Sequence, residues 1–490
     1  MFREKNNYKF NDKILDKYQT RAVKEKTRAY LVVAGAGSGK TLTIVSKVDY
    51  LIKKENVSPK KILCISFTNE TVSALKNSLE ENNCSVDVKT FHKLSLDIIS
   101  NRRKVSPSNL LDYITEEYFY SYLYFDKTYQ LLEEYLDREK INKIQFLTYF
   151  KKVIVSFIHS FKSCNYELGY FIEIIFNCKN KDDQILLIII FKIYTLYEEE
   201  LHSNGWIDFD DMINLAIQEV DKLKYFRYKY IIIDEFQDTS HSKYALIKKL
   251  YEKYNLNLMA VGDDYQSIYS FTGCDLNIFL EFKKNFKNSK VIKLKNTYRN
   301  PKDIVDISSN FVMKNKRQLR KKLKSYKYIQ KPLIIVYSTN VIENLIEIIE
   351  PLDNILIMGR TNQDVNLIID NKNFKIEGNK ITYLKDESKN MYYLTVHTSK
   401  GLEKENVVVL NMIDATVGFP SQIKEYALFK YIRKTKKETF LYAEERRLFY
   451  VALTRCKNKT YLFTNKRNPS IFIKELIKNY KWKLKIIDCE

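Results

Sequence analysis

Leu31-Val32-Val33-Ala34-Gly35-Ala36-Gly37-Ser38-Gly39-Lys40-Thr41 is an aliphatic run that breaks into a glycine-rich turn and opens directly onto a helical pattern. With Ala34 counted as flank, it carries the GxxxxGK[ST] spacing of a phosphate-binding loop. Gly35, Gly37 and Gly39 allow a tight turn in which backbone N–H groups, those of Ala36 and Ser38 included, converge on phosphate oxygens at a helix N-terminus. The Lys40 ammonium places a point charge on the β- and γ-phosphates, and the Thr41 hydroxyl is a ligand for Mg²⁺. Three of the chain's 11 glycines fall within these five positions, in a sequence that otherwise avoids the residue.

Farther along, Tyr230-Ile231-Ile232-Ile233-Asp234-Glu235 reads as a buried strand ending in two carboxylates. Asp234 is suited to hold Mg²⁺ and Glu235 to orient and deprotonate an attacking water. Short β-rich runs followed by helical patterns recur at Tyr30 to Val33, Lys61 to Ile65, Leu258 to Val261, Leu333 to Tyr337, Ile355 to Met358 and Val407 to Leu410. That alternation predicts an α/β protein with parallel sheets. Between about Phe91 and Gly205 the pattern changes to long segments rich in Leu, Ile, Tyr, Phe, Lys and Glu, which predicts a helical insertion. A helix opens at Pro301, and a basic run follows it: Lys314, Lys316, Arg317, Arg320, Lys321, Lys322, Lys324, Lys327 and Lys331. Such a run reads as a solvated face or as a surface that touches phosphates.

The 490 residues carry 82 Lys+Arg against 60 Asp+Glu, a formal charge of +22 that suits a polyanionic partner. With 45% hydrophobic and 14% aromatic residues the chain is too apolar for a disordered basic tail. The seven cysteines show no CxxC pair and read as reduced, mostly buried thiols. The N-terminus lacks an apolar core before a cleavage site. The longest aliphatic stretch, Ile185 to Phe191, is far too short to span a bilayer. These features point to a cytoplasmic protein with no membrane partner.

The glycine loop together with Asp234-Glu235-Phe236-Gln237-Asp238 resembles the superfamily 1A DNA helicases of the UvrD/Rep/PcrA type, and further segments follow in the family's order. Leu15 to Val23 resembles the Q motif, with Gln19 on the adenine edge. Ser66-Phe67-Thr68-Asn69 and Thr90-Phe91-His92 are similar to motifs Ia and Ib, and Asp208 to Met212 to the acidic segment that re-enters the first core. Val261 to Phe271 resembles motif III, with Gln266 as γ-phosphate sensor and Tyr269 and Phe271 near bases. Asn296-Thr297-Tyr298-Arg299-Asn300 and Arg360-Thr361-Asn362 resemble motifs IV and IVa. Val396 to Glu403 is similar to motif V, and Glu444 to Arg455 to motif VI.

The resemblance implies two RecA-like P-loop NTPase domains with a helical 1B insertion in the first, clasping ATP and Mg²⁺. Core 1A takes residues 1–95 and 206–290, the insertion 96–205, and core 2A 291–490, with accessory domain 2B absent or vestigial between 301 and 396. It implies Lys40, Asp234, Glu235, Gln266, Arg299 and Arg455 as catalytic residues, and Thr41 and Asp234 at the metal. Gln19, Gly35, Ala36, Gly37, Ser38, Gly39, Lys40, Thr41, Tyr298 and Glu403 would contact the nucleotide. Phe67, Thr68, Asn69, Thr90, Phe91, His92, Tyr269, Phe271, Arg360, Asn362, His397 and Thr398 would contact DNA. The implied activity is ATP hydrolysis stimulated by single-stranded DNA, driving 3′ to 5′ movement and strand separation on 3′-tailed duplexes. The alternative is an ATP-switched DNA-binding subunit that gates a separately encoded nuclease or other protein partner and unwinds poorly alone. Three departures stand out: Leu42 replaces the Arg that commonly follows the loop threonine, Phe271-Thr272 replaces Trp-Arg, and Lys404 replaces an apolar residue.

Overall fold

The aliphatic run before the glycine loop becomes strand β1 (Ala29–Val33), buried along its whole length. The computed structural model describes residues 8–11, 13–99, 103–122, 127–348, 355–369, 374–384, 390–423, 426–435 and 438–490. Uniformly apolar strands suit a parallel sheet covered on both faces. β1 joins β2 (Ile62–Ser66), β3 (Asp87–Thr90), β4 (Tyr230–Ile233), β5 (Asn257–Gly262) and β6 (Lys290–Lys293) in a six-stranded sheet of order β6-β1-β5-β4-β2-β3. Every pairing in it is parallel. Because β6 pairs with β1, the first core extends through Lys293, past the boundary at 290 drawn from the sequence.

Helices α1 (Lys17–Lys24), α2 (Lys40–Lys53), α3 (Asn69–Glu80) and α4 (Phe91–Ile98) flank this sheet. The first is stopped at its N-terminus by a capping box in which Asp16 and Gln19 exchange hydrogen bonds. The third is capped by Thr68 and the fourth by Thr90. The insertion follows as α5 (Leu110–Glu117), α6 (Lys127–Arg138), α7 (Lys143–Ser163), α8 (Leu168–Asn177) and α9 (Lys181–Ser203). Its stem is closed by parallel pairing of Lys104–Val105 with Trp206–Ile207, and it has its own core around Phe150, Phe157, Phe161 and Phe171.

The second core is an eight-stranded sheet. In chain order, after the two-residue strands β7 (Asn296–Thr297) and β8 (Lys324–Ser325), it contains β9 (Leu333–Tyr337), β10 (Ile355–Gly359), β11 (Phe374–Glu377), β12 (Lys380–Tyr383), β13 (Asn390–Thr395), β14 (Lys404–Val409), β15 (Cys456–Thr464) and β16 (Leu484–Asp488). The order is β11-β12-β13-β10-β14-β15-β9-β16, antiparallel only at the β11 and β12 hairpin edge. Among the described residues, the strands between 301 and 396 pair with strands of the second core, including β7, β8 and this sheet. Among the described residues, no helix is long and apolar enough to cross a membrane, and the cysteines are free thiols, most of them buried.

A strap from the second core reaches the insertion. Leu428 and Ile432 are buried in the insertion's hydrophobic cluster. Tyr166 Oη donates to the Ile432 carbonyl at 3.1 Å, and Lys430 Nζ and Tyr431 Oη reach Asp183 at 2.7 and 2.8 Å.

The basic run is not uniformly a surface. Lys321 is buried, its ammonium between Asp263 and Asp264 with Nζ 3.5 Å from the Tyr265 ring centroid. Lys314 pairs with Glu475, and Lys327 donates to Asn458. A buried pair that loses one partner leaves an uncompensated charge, which costs about 3–5 kcal/mol. Lys321→Met should therefore lower unfolding stability by about that amount in a denaturant titration. Lys322→Met, at an exposed neighbour, should stay within about 0.5 kcal/mol.

Candidate functional site

The loop after β1 turns with Gly37 at φ 68° and Gly39 at φ 79°, the left-handed region that favours glycine. A Cβ on Gly37 would lie 2.5 Å from Arg299 Cβ and 2.7 Å from Thr297 Oγ1. That closeness arises because the second core docks on the loop. Tyr298 N–H donates to the Gly37 carbonyl at 2.9 Å, Thr297 Oγ1 donates to the Ala36 carbonyl at 2.8 Å, and Ala36 N–H donates to Tyr450 Oη at 3.2 Å. Gln19, buried, donates from Nε2 to the Ser38 carbonyl at 3.1 Å and accepts from Asp16 N–H. Its amide thus holds the loop from beneath as well as lying beside it.

Lys40, at the first position of α2, pairs with Glu235 Oε1 at 2.6 Å. Burial pulls the Lys40 ammonium down, but Glu235, Asp234 and Asp263 carry it above its ordinary value. Burial opposes ionisation of Glu235 too, yet Lys40 and Lys400 hold its carboxyl well below the usual range. Asp234 goes the other way, raised by burial and by the Glu235 charge. A protonation-prone carboxyl at a strand end is one that a divalent cation would stabilise as the anion, and Thr41, at the start of α2, adds a hydroxyl of the right chemistry. Gln237 Nε2 donates to Glu235 Oε2 at 2.6 Å and orients it.

The second core supplies two arginines. Arg455 is fully buried and its Nη2 lies 3.5 Å from Gln266 Oε1; its Nε and Nη1 donate to the Val451 and Leu402 carbonyls. Burial and the neighbouring Arg299 guanidinium lower Arg455 to about 10, so it remains charged. Arg299 pairs with Glu403, and its buried Nε has no hydrogen-bond partner among the described residues. Two cations held together, one with an orphaned donor, form a site that fits an anionic phosphate group. The P-loop turn and Lys40 fit the same group from the opposite wall.

The hydrogen bonds continue from Glu235 toward an exposed aromatic face. Asp238 pairs with the buried Lys400, whose Nζ also reaches the Gln266 carbonyl at 2.8 Å and lies 4.9 Å from the Tyr269 ring centroid. Tyr269 Oη donates to the His397 carbonyl at 3.0 Å, and the rings of Tyr269, Phe271 and His397 cluster within 6.3 Å of one another. Phe271 is 55% exposed. Burial, with Arg360 and Lys400 nearby, lowers His397 to about 4, so the imidazole is neutral near pH 7.

The other residues assigned to DNA contact separate into two groups. Thr68, Asn69, Asn362 and Thr398 are exposed, Thr90 and Phe67 half-buried. His92, lowered to about 4 by burial and by Lys243, stacks edge-on with exposed Phe209 at 5.2 Å. Phe91, by contrast, is buried in the first core against Phe67 and offers no face to a base. Arg360 is committed to a bidentate pair with Glu445 at 2.7 to 3.1 Å. Lys400, Tyr450 and Thr297, absent from the sequence-based assignment, lie at the junction of the two cores. They fall inside motifs V, VI and IV, but only the fold reveals that their side chains cross the cleft.

Residues 15–287 match the family described as the UvrD/REP helicase N-terminal domain. DNA helicase IV of Escherichia coli strain K12 is 26% identical over 95% of this chain and 70% of its own length. The probable DNA helicase II homolog of Mycoplasma capricolum is 32% identical, and the ATP-dependent DNA helicase PcrA of Bacillus subtilis 30%, each over 63% of this chain. The chain spans only 42% and 41% of the length of those two relatives.

The docked loop has a measurable signature. Gly37 and Gly205 both have positive φ, but none of the described residues lies within 4 Å of a Cβ on Gly205. Gly205→Ala should cost only the left-handed strain of about 1–2 kcal/mol, and Gly37→Ala distinctly more, by denaturant midpoint. Equal losses would show that the two cores are not held against each other in solution.

Proposed function

The chain belongs to the UvrD/REP helicase family, and on that premise we propose that it is an ATP-dependent DNA helicase or translocase, stimulated by single-stranded DNA and moving 3′ to 5′. The observation that carries this reading is the placement of Arg299 against Gly37 of the glycine loop and of Arg455 beside Gln266, both arginines coming from the core opposite the one that holds the Lys40–Glu235 pair. Phosphoryl transfer needs positive charge where the γ-phosphate charge develops, and here that charge is complete only when the cores close. Mg²⁺, held by Thr41 and Asp234, would neutralise phosphate oxygens. When phosphate oxygens draw Lys40 away, Glu235 is left as an anionic carboxylate positioned by Gln237, able to orient a water and accept its proton.

The path from Gln237 and Asp238 through Lys400 to Tyr269 and His397 supports coupling between this chemistry and DNA. Base stacking on Phe271 and Tyr269 is independent of sequence, as a translocase requires. A second reading is an ATP-switched subunit that depends on a nuclease or other protein partner for unwinding. It is favoured by the region between 301 and 396, whose described strands pair within the second core, with no accessory domain among them. ATPase rates with and without single-stranded DNA, beside single-turnover unwinding of a 3′-tailed duplex, separate the two: stimulation without unwinding selects the second, and absence of both sinks the helicase reading.

Glu235→Gln should retain ATP binding in a filter assay while turnover stops. Arg455→Ala should cut kcat by about 10³-fold or more with little change in KM; a mutant that raised only KM would refute a transition-state role.

Phe271→Ala should weaken single-stranded DNA binding by about 1–3 kcal/mol in a fluorescence titration, with Phe271→Trp tolerated. A lowered melting temperature with unchanged DNA affinity would make it a packing residue instead.

A further inference from the structure

Resting on the proposal that Phe271 stacks on a base, we infer that Ser163, the last residue of α7 in the helical insertion, is a positioning residue for single-stranded DNA: it backs the short loop Ser270–Thr272 that presents Phe271. That loop ends at Gly273, whose φ of 80° lies in the left-handed region. A Cβ on Gly273 would overlap Ser163 Oγ and lie 3.0 Å from Ser163 Cβ and 3.9 Å from Ser160 Cα. The loop backbone therefore rests directly on the end of α7. Ser163 is itself buried, its hydroxyl donating to the Ser160 carbonyl at 2.9 Å, so a bulkier side chain there would press on Gly273.

Both sides of this contact are held. Lys162, buried beside Ser163, pairs with Glu198 of α9 at 2.6 Å and with Asp208 and Asp211, where the chain re-enters the first core, at 2.7 and 2.8 Å. Its carbonyl accepts from Asn214 Nδ2 at 3.0 Å, and the Cys164 carbonyl accepts from Lys434 Nζ of the strap at 2.5 Å. Three consecutive residues thus tie the end of α7 to the first core, to the loop and to the second core. The loop is pinned at its own ends: Ser270 N–H donates to Glu444 Oε1 at 3.1 Å, Cys274 Sγ to the Asp238 carbonyl at 2.9 Å, and Asp275 N–H to the Thr239 carbonyl at 3.1 Å. Phe271 lies between these pins. A close-packed contact has little room to absorb a displacement, so a shift at Gly273 is passed to the ring two residues away.

The test is titration of the whole chain with a fluorescently labelled single-stranded DNA, beside ATP hydrolysis measured without DNA. Ser163→Leu should raise the dissociation constant about ten-fold, the lower part of the range for loss of one base stack. Its DNA-independent hydrolysis should stay within about two-fold of wild type, as for sites that do not interact. The decisive measurement is the double variant: if Ser163 acts through Phe271, Ser163→Leu with Phe271→Ala should bind no more weakly than Phe271→Ala alone. Losses that add, or wild-type affinity in Ser163→Leu, would overturn the inference while leaving the stacking proposal in place. Ser163→Val, with less bulk, carries the same cycle if the leucine variant melts early. Wild-type affinity in Phe271→Ala would sink the stacking proposal and this inference together.

Discussion

Docking of the second core on the glycine loop is the constraint from which the rest of the site follows. Thr297, Tyr298 and Tyr450 use two carbonyls and one N–H of a loop whose remaining amides form the proposed phosphate cradle. Those bonds need side chain and backbone from a separate sheet to approach within hydrogen-bond distance, which only a glycine at position 37 permits. The approach brings Arg299 and Arg455 toward the cleft as a consequence. The proposed catalytic geometry is thereby a property of the interface rather than of either core.

Charge is handled at this interface by dense pairing. Lys40 with Glu235, Lys400 with Asp238 and Lys321 with Asp263 and Asp264 are each a buried or half-buried ammonium on buried or half-buried carboxylates. In a low-dielectric setting such pairs contribute little net stability, since desolvation offsets attraction. Their effect is directional: displacing one partner leaves a charge that must find another. Asp263 shows the principle, for it receives Lys321 and Gln266 Nε2 while its N–H donates to Gln237 Oε1. Gln237, which donates to Glu235 Oε2 and accepts from Asp263 N–H, joins the two carboxylates in one network.

The sheet strands and the phosphate loop were legible because each is a local pattern: an aliphatic run of strand length, or glycines at fixed spacing before Lys40. The helical insertion was legible for the same reason, although its boundary with the first core depended on the pairing of Lys104–Val105 with Trp206–Ile207, two residues on each side. Strand Lys290–Lys293 lacked any local sign of which sheet it joins, and the first core therefore ended too early in the sequence reading. Lys321 was misread because a basic run looks the same whether its members face water or a pair of aspartates brought in from a distant loop. Phe91 and Arg360 illustrate a related limit: the motif names the residue, but the burial of the one and the Glu445 pair of the other are set by tertiary contacts.

The strap formed by residues 426–435 has a mechanical consequence. The insertion grows from the first core, yet its interior includes Leu428 and Ile432 of the second. Chain and contacts thus make a closed loop: first core, insertion, strap, second core, and back through the nucleotide cleft. A hinge between the cores cannot open freely within such a loop. Either the insertion tilts with the second core, acting as a lever arm for the first, or the two aliphatic side chains withdraw into water at about 1.5–3 kcal/mol each. Parting the cleft therefore loads a spring whose release favours closure, and the stiffness of that spring is written in a segment that packs on the insertion.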